Sequence, residues 1–258
     1  MPSLAPNSAA LGLAQALVAA TLAFAAIAAA RSQGIRLERE SLVAMVRGLV
    51  QVVAVGAVLV IVLAGPVWMW LAAIVLMAGA AGATAARRAA RIPGALVLSV
   101  VSIAVGSALV IVPMTLLGVI PWAAAGLVPV SSMIIANAMN TGALALDRLR
   151  AELLAHRGQT EAALALGASS AVAAQPYVRA AVTASLIPRV DTLRSLGIVW
   201  IPGVMAGMLL SGVDPVYAGV YQFAVLAMIF AAAAFTALAA TVLARRRSFG
   251  FADELVIE

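Results

Sequence analysis

Apolar residues fall along this chain in long uninterrupted runs, separated by short polar breaks. The runs are roughly Ala9–Ala30, Leu42–Leu63, Val67–Ala86, Ala95–Gly118, Val128–Leu146, Ile198–Leu210 with a polar approach from Arg189, and Val216–Leu243. Most are close to the ~20 residues that a helix needs to cross a bilayer. The pattern predicts an all-α polytopic membrane protein with about seven transmembrane helices. Pro113 in the fourth run and Pro202-Gly203 in the sixth predict kinks, tolerated where neighbours satisfy the freed carbonyl.

The polar breaks alternate in charge. Arg31, Arg36 and Arg39 follow the first run, Arg87, Arg88 and Arg91 the third, and Arg148, Arg150, Arg157, Arg179 and Arg189 the fifth. Arg245, Arg246 and Arg247 follow the seventh. The segments Ala64–Pro66, Val119–Leu127 and Ser211–Pro215 hold no arginine, nor do the residues before the first run. Arg-rich loops stay in the cytosol, which predicts an N-terminus outside and a cytoplasmic C-terminus. The first run has no basic residue before it and is too long for a signal-peptide core, so it reads as a retained span.

Composition agrees and excludes several classes. Of 258 residues, 65% are hydrophobic and 10% charged, against ~45–50% and ~25% in ordinary soluble domains. No soluble surface can be built from so few charges, and the whole of 1–258 reads as one polytopic transmembrane domain. The absence of Cys excludes disulfides and thiolate metal sites. All 16 basic residues are Arg, and without Lys the P-loop pattern cannot be completed. If ATP is used, a partner must bind it. The net charge of +6 reflects the positive-inside pattern rather than nucleic-acid binding.

One long connection breaks the rhythm. Residues 147–188 lie between the fifth and sixth runs, on the arginine side, and are rich in Ala, Leu, Glu and Arg. Short helices joined by Gly and Ser turns are expected there. Within this region Glu161-Ala162-Ala163-Leu164-Ala165-Leu166-Gly167 follows a pattern by which membrane subunits of ATP-driven transporters dock their ATPase. It reads as a coupling helix along the membrane surface that Gly167 ends, or as one amphipathic turn of a loop. ABC importer permeases continue with an Ile-x-Leu-Pro element about ten residues further on. Here that region is Tyr177-Val178-Arg179-Ala180, a departure from the importer class.

Several polar residues interrupt the runs. Asn137, Asn140 and Thr141 recur at helical spacing, with Met133 one turn before Asn137. Amides near mid-span must face protein or a wet path; they line a translocation route or bond between helices. Asp191 and Arg194 are three apart and form either a gate at the cytoplasmic mouth or a structural pair, and Arg189 reads as structural. Arg47 and Gln51 lie one turn apart in the second run; Arg47 either snorkels to the interface or has a buried partner. Met133, Met139, Met205 and Met208 offer soft sulfur but serve equally as apolar packing. Met133, Met205 and Asp191 are the metal candidates. His156, the only His, reads as a surface residue. Gly79 and Gly82 read as a close-packing helix surface. No nucleophile–base pair is visible, so no catalytic residue is expected.

Five segments together resemble one family: Val130–Met139, Glu161–Gly167, Ile187-Pro188-Arg189-Val190-Asp191, Pro202–Gly207 and Gly212-Val213-Asp214-Pro215. Arg47 with Val50-Gln51 extends the likeness to the second run. The chain resembles the FetB/YbbM-like ABC transporter permeases over nearly its whole length. The resemblance implies a bacterial inner-membrane permease that exports iron or keeps metal homeostasis. It would act as a homodimer in the lipid bilayer with a separate cytoplasmic ATPase. ATP-Mg would sit on that partner, with no cofactor on this chain. A nucleotide sugar or other non-metal cargo is the alternative within the class. An ATP-independent transporter or channel, or a scaffold, is the alternative outside it.

Overall fold

A computed structural model describes residues 9–34, 38–90, 92–250 and 255–256. Arg36 and Arg91 of the arginine pattern lie outside the described residues, as does the segment before Ala9. Among the described residues the regular structure is all helix, beside two isolated bridges, Leu196 with Trp200 and Phe249 with Leu255. It forms two compact units, Met1–Ala64 and Gly65–Glu258.

The first unit is a pair of apolar helices, α1 (Ala9–Ser32) and α2 (Glu38–Ala64). The second holds α3 (Val67–Arg88), α4 (Ala95–Leu116), α5 (Ala124–Ala155), α6 (Arg157–Ala165), α7 (Ser170–Ala173), α8 (Gln175–Ser195), α9 (Gly203–Leu210) and α10 (Pro215–Ser248). Among the described residues, six helices are long and apolar enough to cross a membrane: α1 to α5 and α10. The protein is an all-α, multi-pass membrane protein. In hydrocarbon each backbone polar group needs a partner inside its own segment, which a helix provides.

The seventh expected span needs correction. The run Ile198–Leu210 does not form one transmembrane helix. α8 stops at Ser195, and α9 is eight residues, about 12 Å long at 1.5 Å per residue, less than half of a ~30 Å hydrocarbon core. The cause is local. Gly197 adopts φ +75, and Pro202 has no N–H to continue a ladder. The amides of Ile198, Val199 and Trp200 all turn back onto the Ser195 carbonyl, at 3.3, 3.0 and 3.3 Å. The segment is thus a broken helix, α8 followed by α9. The long connection after the fifth run is helical, as expected: α5 itself continues to Ala155, then α6, α7 and α8 follow.

In the second unit the core forms two layers along the bundle. One gathers Ile103, Val110, Ile120, Leu127, Ile134, Val225 and Ile229, with Leu193 and Leu196 packed against it. The other gathers Ala86, Ile92, Leu98, Leu146, Leu149, Leu153, Ala181, Ala240 and Ala244. That second layer adjoins the arginine-bearing ends of α3, α5 and α10. A Cβ on Gly94, at φ +69 between α3 and α4, would strike the Arg247 guanidinium from the end of α10. The arginine-bearing ends of α3, α5 and α10 therefore meet at one end of this unit. At the opposite end Asp214 caps α10, accepting from Tyr217 N at 2.9 Å, with Pro215 in the first turn.

Between the layers the helices approach through small residues. Thr236 of α10 is wholly buried. A Cβ on Gly106 of α4 would lie 2.7 Å from Thr236 N, and one on Gly142 of α5 would lie 2.9 Å from Thr236 Cγ2. On α3 a Cβ at Gly82 would meet Val100 Cα at 2.6 Å, whereas Gly79 faces open space. Of the two glycines expected to pack closely, only Gly82 does. Gly106→Ala should therefore overpack the crossing and cost about 1–3 kcal/mol. Gly79→Ala should be neutral or stabilise by up to about 1 kcal/mol through helix propensity. Thermal unfolding in one detergent checks both, and equal effects would contradict this packing.

Candidate functional site

A cavity of about 400 Å³ opens where α5, α8 and α10 meet. Met133 and Asn137 line it from α5, and Arg189, Thr192, Leu193 and Ser195 from α8. Trp200 comes from the break after α8, and Leu226, Ile229 and Phe230 from α10. The break matters here. Irregular backbone at membrane depth is tolerated where it lies in protein or beside a wet cavity, and broken helices line binding sites in transporters.

Arg189 is the one charged residue in this lining. Its Nη1 donates to Asn137 Oδ1, and Asn137 Nδ2 donates to the Met133 carbonyl at 2.8 Å. The amide is thus oriented, with its oxygen turned to the guanidinium. Arg189 Nε is buried without a partner. Among the described residues no carboxylate lies within ion-pair distance of Arg189. Thr192 and Ser195 spend their hydroxyl protons on their own helix, on the carbonyls of Pro188 at 2.8 Å and Thr192 at 3.1 Å.

The other expected site residues are spread more widely. Asn140 is exposed and Thr141 is buried, so the polar residues of α5 do not share one surface with Asn137. Asp191 and Arg194 do pair, at 3.6 Å, but are 61% and 77% exposed and do not line the cavity. Such exposed pairs contribute little, at most about 1 kcal/mol. Arg47 and Gln51 are exposed on α2, in the first unit. Of the metal candidates Met133 lines the cavity, while Met205, on α9, and Asp191 do not. Among the described residues no three of His, Cys, Asp and Glu come together. In sequence Arg189 reads as structural; in the structure it brings the charge to this cavity. No local signal singled it out, because Asp191, Thr192 and Arg194 make the whole approach polar.

The Glu161–Gly167 segment forms α6 and its end. Gly167 stands at φ +89. Its amide reaches the Leu164 carbonyl at 2.9 Å, and Ala168 N reaches the Ala163 carbonyl at 3.0 Å. This is a Schellman end, which calls for a residue without Cβ in the left-handed position. One face of α6 is anchored: Thr160 is buried and Leu164 packs on the arginine-side layer. Glu161, Ala162 and Leu166 are exposed, Leu166 at 90%. Arg157 Nε donates to Glu161 Oε1 at 2.8 Å. His156, expected at the surface, is half-buried; it stacks on Tyr177 at 5.0 Å, and Tyr177 Oη donates to Gln159 Oε1 at 3.3 Å. The start of α6 is thereby tied to the start of α8.

Residues 13–249 match the family described as Uncharacterised protein family (UPF0014). The chain belongs to that family. It is 30% identical over 234 residues to the UPF0014 membrane protein STAR2 of Oryza sativa subsp. japonica, covering 90% of this chain and 82% of that one. It is 29% identical to Protein ALUMINUM SENSITIVE 3 of Arabidopsis thaliana, covering 90% and 85%. It is 28% identical over 241 residues to the Probable iron export permease protein FetB of Escherichia coli, covering 93% of each. No solved structure matches the chain.

The Schellman end gives a local test. Gly167→Ala should cost about 1–2 kcal/mol at that left-handed position. Exchange of the Gly167 and Ala168 amides should then rise roughly five- to thirtyfold, with the global unfolding midpoint little changed. Unaltered exchange would mean that α6 ends by another route.

Proposed function

We propose that this chain, on the strength of its family, is the permease subunit of an ATP-driven exporter that handles iron or another metal in a bacterial inner membrane. The observation that carries the reading is the likeness over 93% of both chains to a protein named a probable iron export permease. Two further features support it. With no Lys the chain cannot complete a P-loop, so nucleotide would be bound by a separate cytoplasmic ATPase. And α6 presents Glu161, Ala162 and Leu166 outward at the arginine-bearing end, the end that the positive-inside rule assigns to the cytosol.

In this reading two copies of the chain meet two ATPase chains. Closure of the ATPases pushes on Glu161, Ala162, Ala163 and Gly167. The push passes from α6 through the His156–Tyr177 stack into α8 and reaches Arg189 opposite Asn137. Asp191 and Arg194, one turn further along the exposed side of α8, gate the mouth. Driven by an ATPase, such a chain performs transport rather than covalent chemistry.

Two measurements test this. The natural chain has no Cys, so Gly158→Cys, in the first turn of α6 and facing open space, should react only with reagents admitted to the cytosol. Labelling from outside intact cells would overturn the orientation and the coupling role together. A tagged chain should copurify a P-loop ATPase. Glu161→Arg, which destroys the pair with Arg157, should lower ATP-dependent efflux about tenfold, equivalent to ~1.4 kcal/mol at the docking surface, at unchanged membrane level. Efflux that persists without any ATPase would favour a gradient-driven transporter.

A further inference from the structure

The cavity between α5, α8 and α10 has the wrong chemistry for a bare metal ion. A hard divalent cation wants carboxylate and carbonyl oxygens, and a softer one wants imidazole or thiolate. The lining offers none of the charged donors and only one thioether, Met133. It holds instead a guanidinium, which repels cations. Nor does Arg189 have its charge balanced. Asn137 gives it one neutral acceptor, and that amide cannot turn its N–H inward because Nδ2 is committed to the Met133 carbonyl. Arg189 Nε is buried and unpartnered. A guanidinium is a planar fork suited to carboxylate and phosphate, and here Leu193, Ile229 and Phe230 lower the local dielectric, which strengthens such a contact.

We propose that the cavity bounded by Arg189 and Asn137 is an oxyanion site, taking a carboxylate or phosphate group, so that cargo arrives as an anion or as a metal held by an anionic chelator. Calling the ligand cargo rests on the permease reading above; the binding itself does not. The two sources share one chemistry, an oxyanion seated on Arg189. Thr192 and Ser195 point their hydroxyl protons to their own helix and leave the guanidinium as the anchor.

Trp200 lines the same cavity and reports on it. The full chain in lipid nanodiscs is titrated with inorganic phosphate, with ferric citrate and with unchelated ferrous iron, without ATPase. Trp200 fluorescence is taken as the difference from Trp200→Phe. Phosphate or ferric citrate should give a saturable change. A response to phosphate assigns the site to a free oxyanion, and a response to ferric citrate alone assigns it to the chelated metal. Arg189→Gln should weaken the response about tenfold or more. Should that variant fail to fold, Asn137→Asp keeps side-chain size, gives Arg189 an internal counter-ion in exchange for the hydrogen bond to the Met133 carbonyl, and should abolish the response in a folded protein. The proposal is overturned if folded Asn137→Asp binds both anions undiminished, if neither anion is bound by the natural chain, or if only unchelated ferrous iron is bound. Anion binding together with absent ATP-driven transport removes the permease reading and leaves the site standing; intact transport without anion binding does the reverse.

Discussion

The second unit depends on how closely three helices approach at one point. Thr236 of α10 sits between Gly106 of α4 and Gly142 of α5 with no room for a Cβ on either glycine. Lipid tails are as apolar as leucine, so burying apolar surface drives helices together far less than in water, and close van der Waals contact has to do it. Ser107 and Thr141 are the chain neighbours of those glycines. Their hydroxyls, like that of Thr236, are buried without partners. Small residues and hydroxyls thus share the crossing, and it fixes the separation of α5 from α10. About 8 Å further along α5, at Asn137, the two helices leave the gap that α8 enters and only partly fills.

That gap explains the charge it contains. Burying a charge is costly unless it is paired, and among the described residues this one has an amide oxygen but no carboxylate against it. The segment that carries it is also the one whose helix breaks. Gly197 and Pro202 interrupt α8–α9 downstream of Arg189, and the broken segment brings Trp200 into the same lining. An uncompensated charge, an interrupted backbone and a cavity coincide. Each is tolerated at depth when it serves a polar path, and their coincidence is stronger than any one of them.

Much of the fold was legible because lipid imposes simple rules. Long apolar runs located α1, α3 and α4 within two residues at each end, and α2 and α10 within about five. α5 instead runs nine residues beyond Leu146 because Asp147–Ala155 is itself rich in helix formers. Arginine alternation anticipated which ends of α3, α5 and α10 gather together. Gly167 was readable as a helix end because the left-handed position strongly favours glycine. The sixth run misled: Ile198–Leu210 is as apolar as a span, but hydropathy does not register that Gly197 and Pro202 cut it short. The site was half legible. Asn137 stood out as an amide in mid-span. Arg189 did not, since it opens a polar approach that also holds Asp191, Thr192 and Arg194. On a helix, residues two apart do not face each other, and Asp191 turns outward to Arg194 while Arg189 turns inward to Asn137.

That division of α8 into two sides bears on how an outer helix could command an inner site. Its first turn is held to the start of α6 by the Tyr177–His156 stack and the Tyr177–Gln159 hydrogen bond. Arg189 lies about 18 Å along the same helix, and Ala181 and Ser185 bury the stretch between. A helix transmits displacement because its ladder resists stretching, whereas a loop absorbs it. Pro188 removes one rung just before Arg189, so bending concentrates there rather than being spread along the element. A push on α6 would therefore arrive as a small rotation of Arg189 against Asn137, whose own orientation is fixed by the Met133 carbonyl. The hydrogen bond between them is the part of the site that such a movement changes first, and a guanidinium released from Asn137 is a guanidinium with one more donor for an anion.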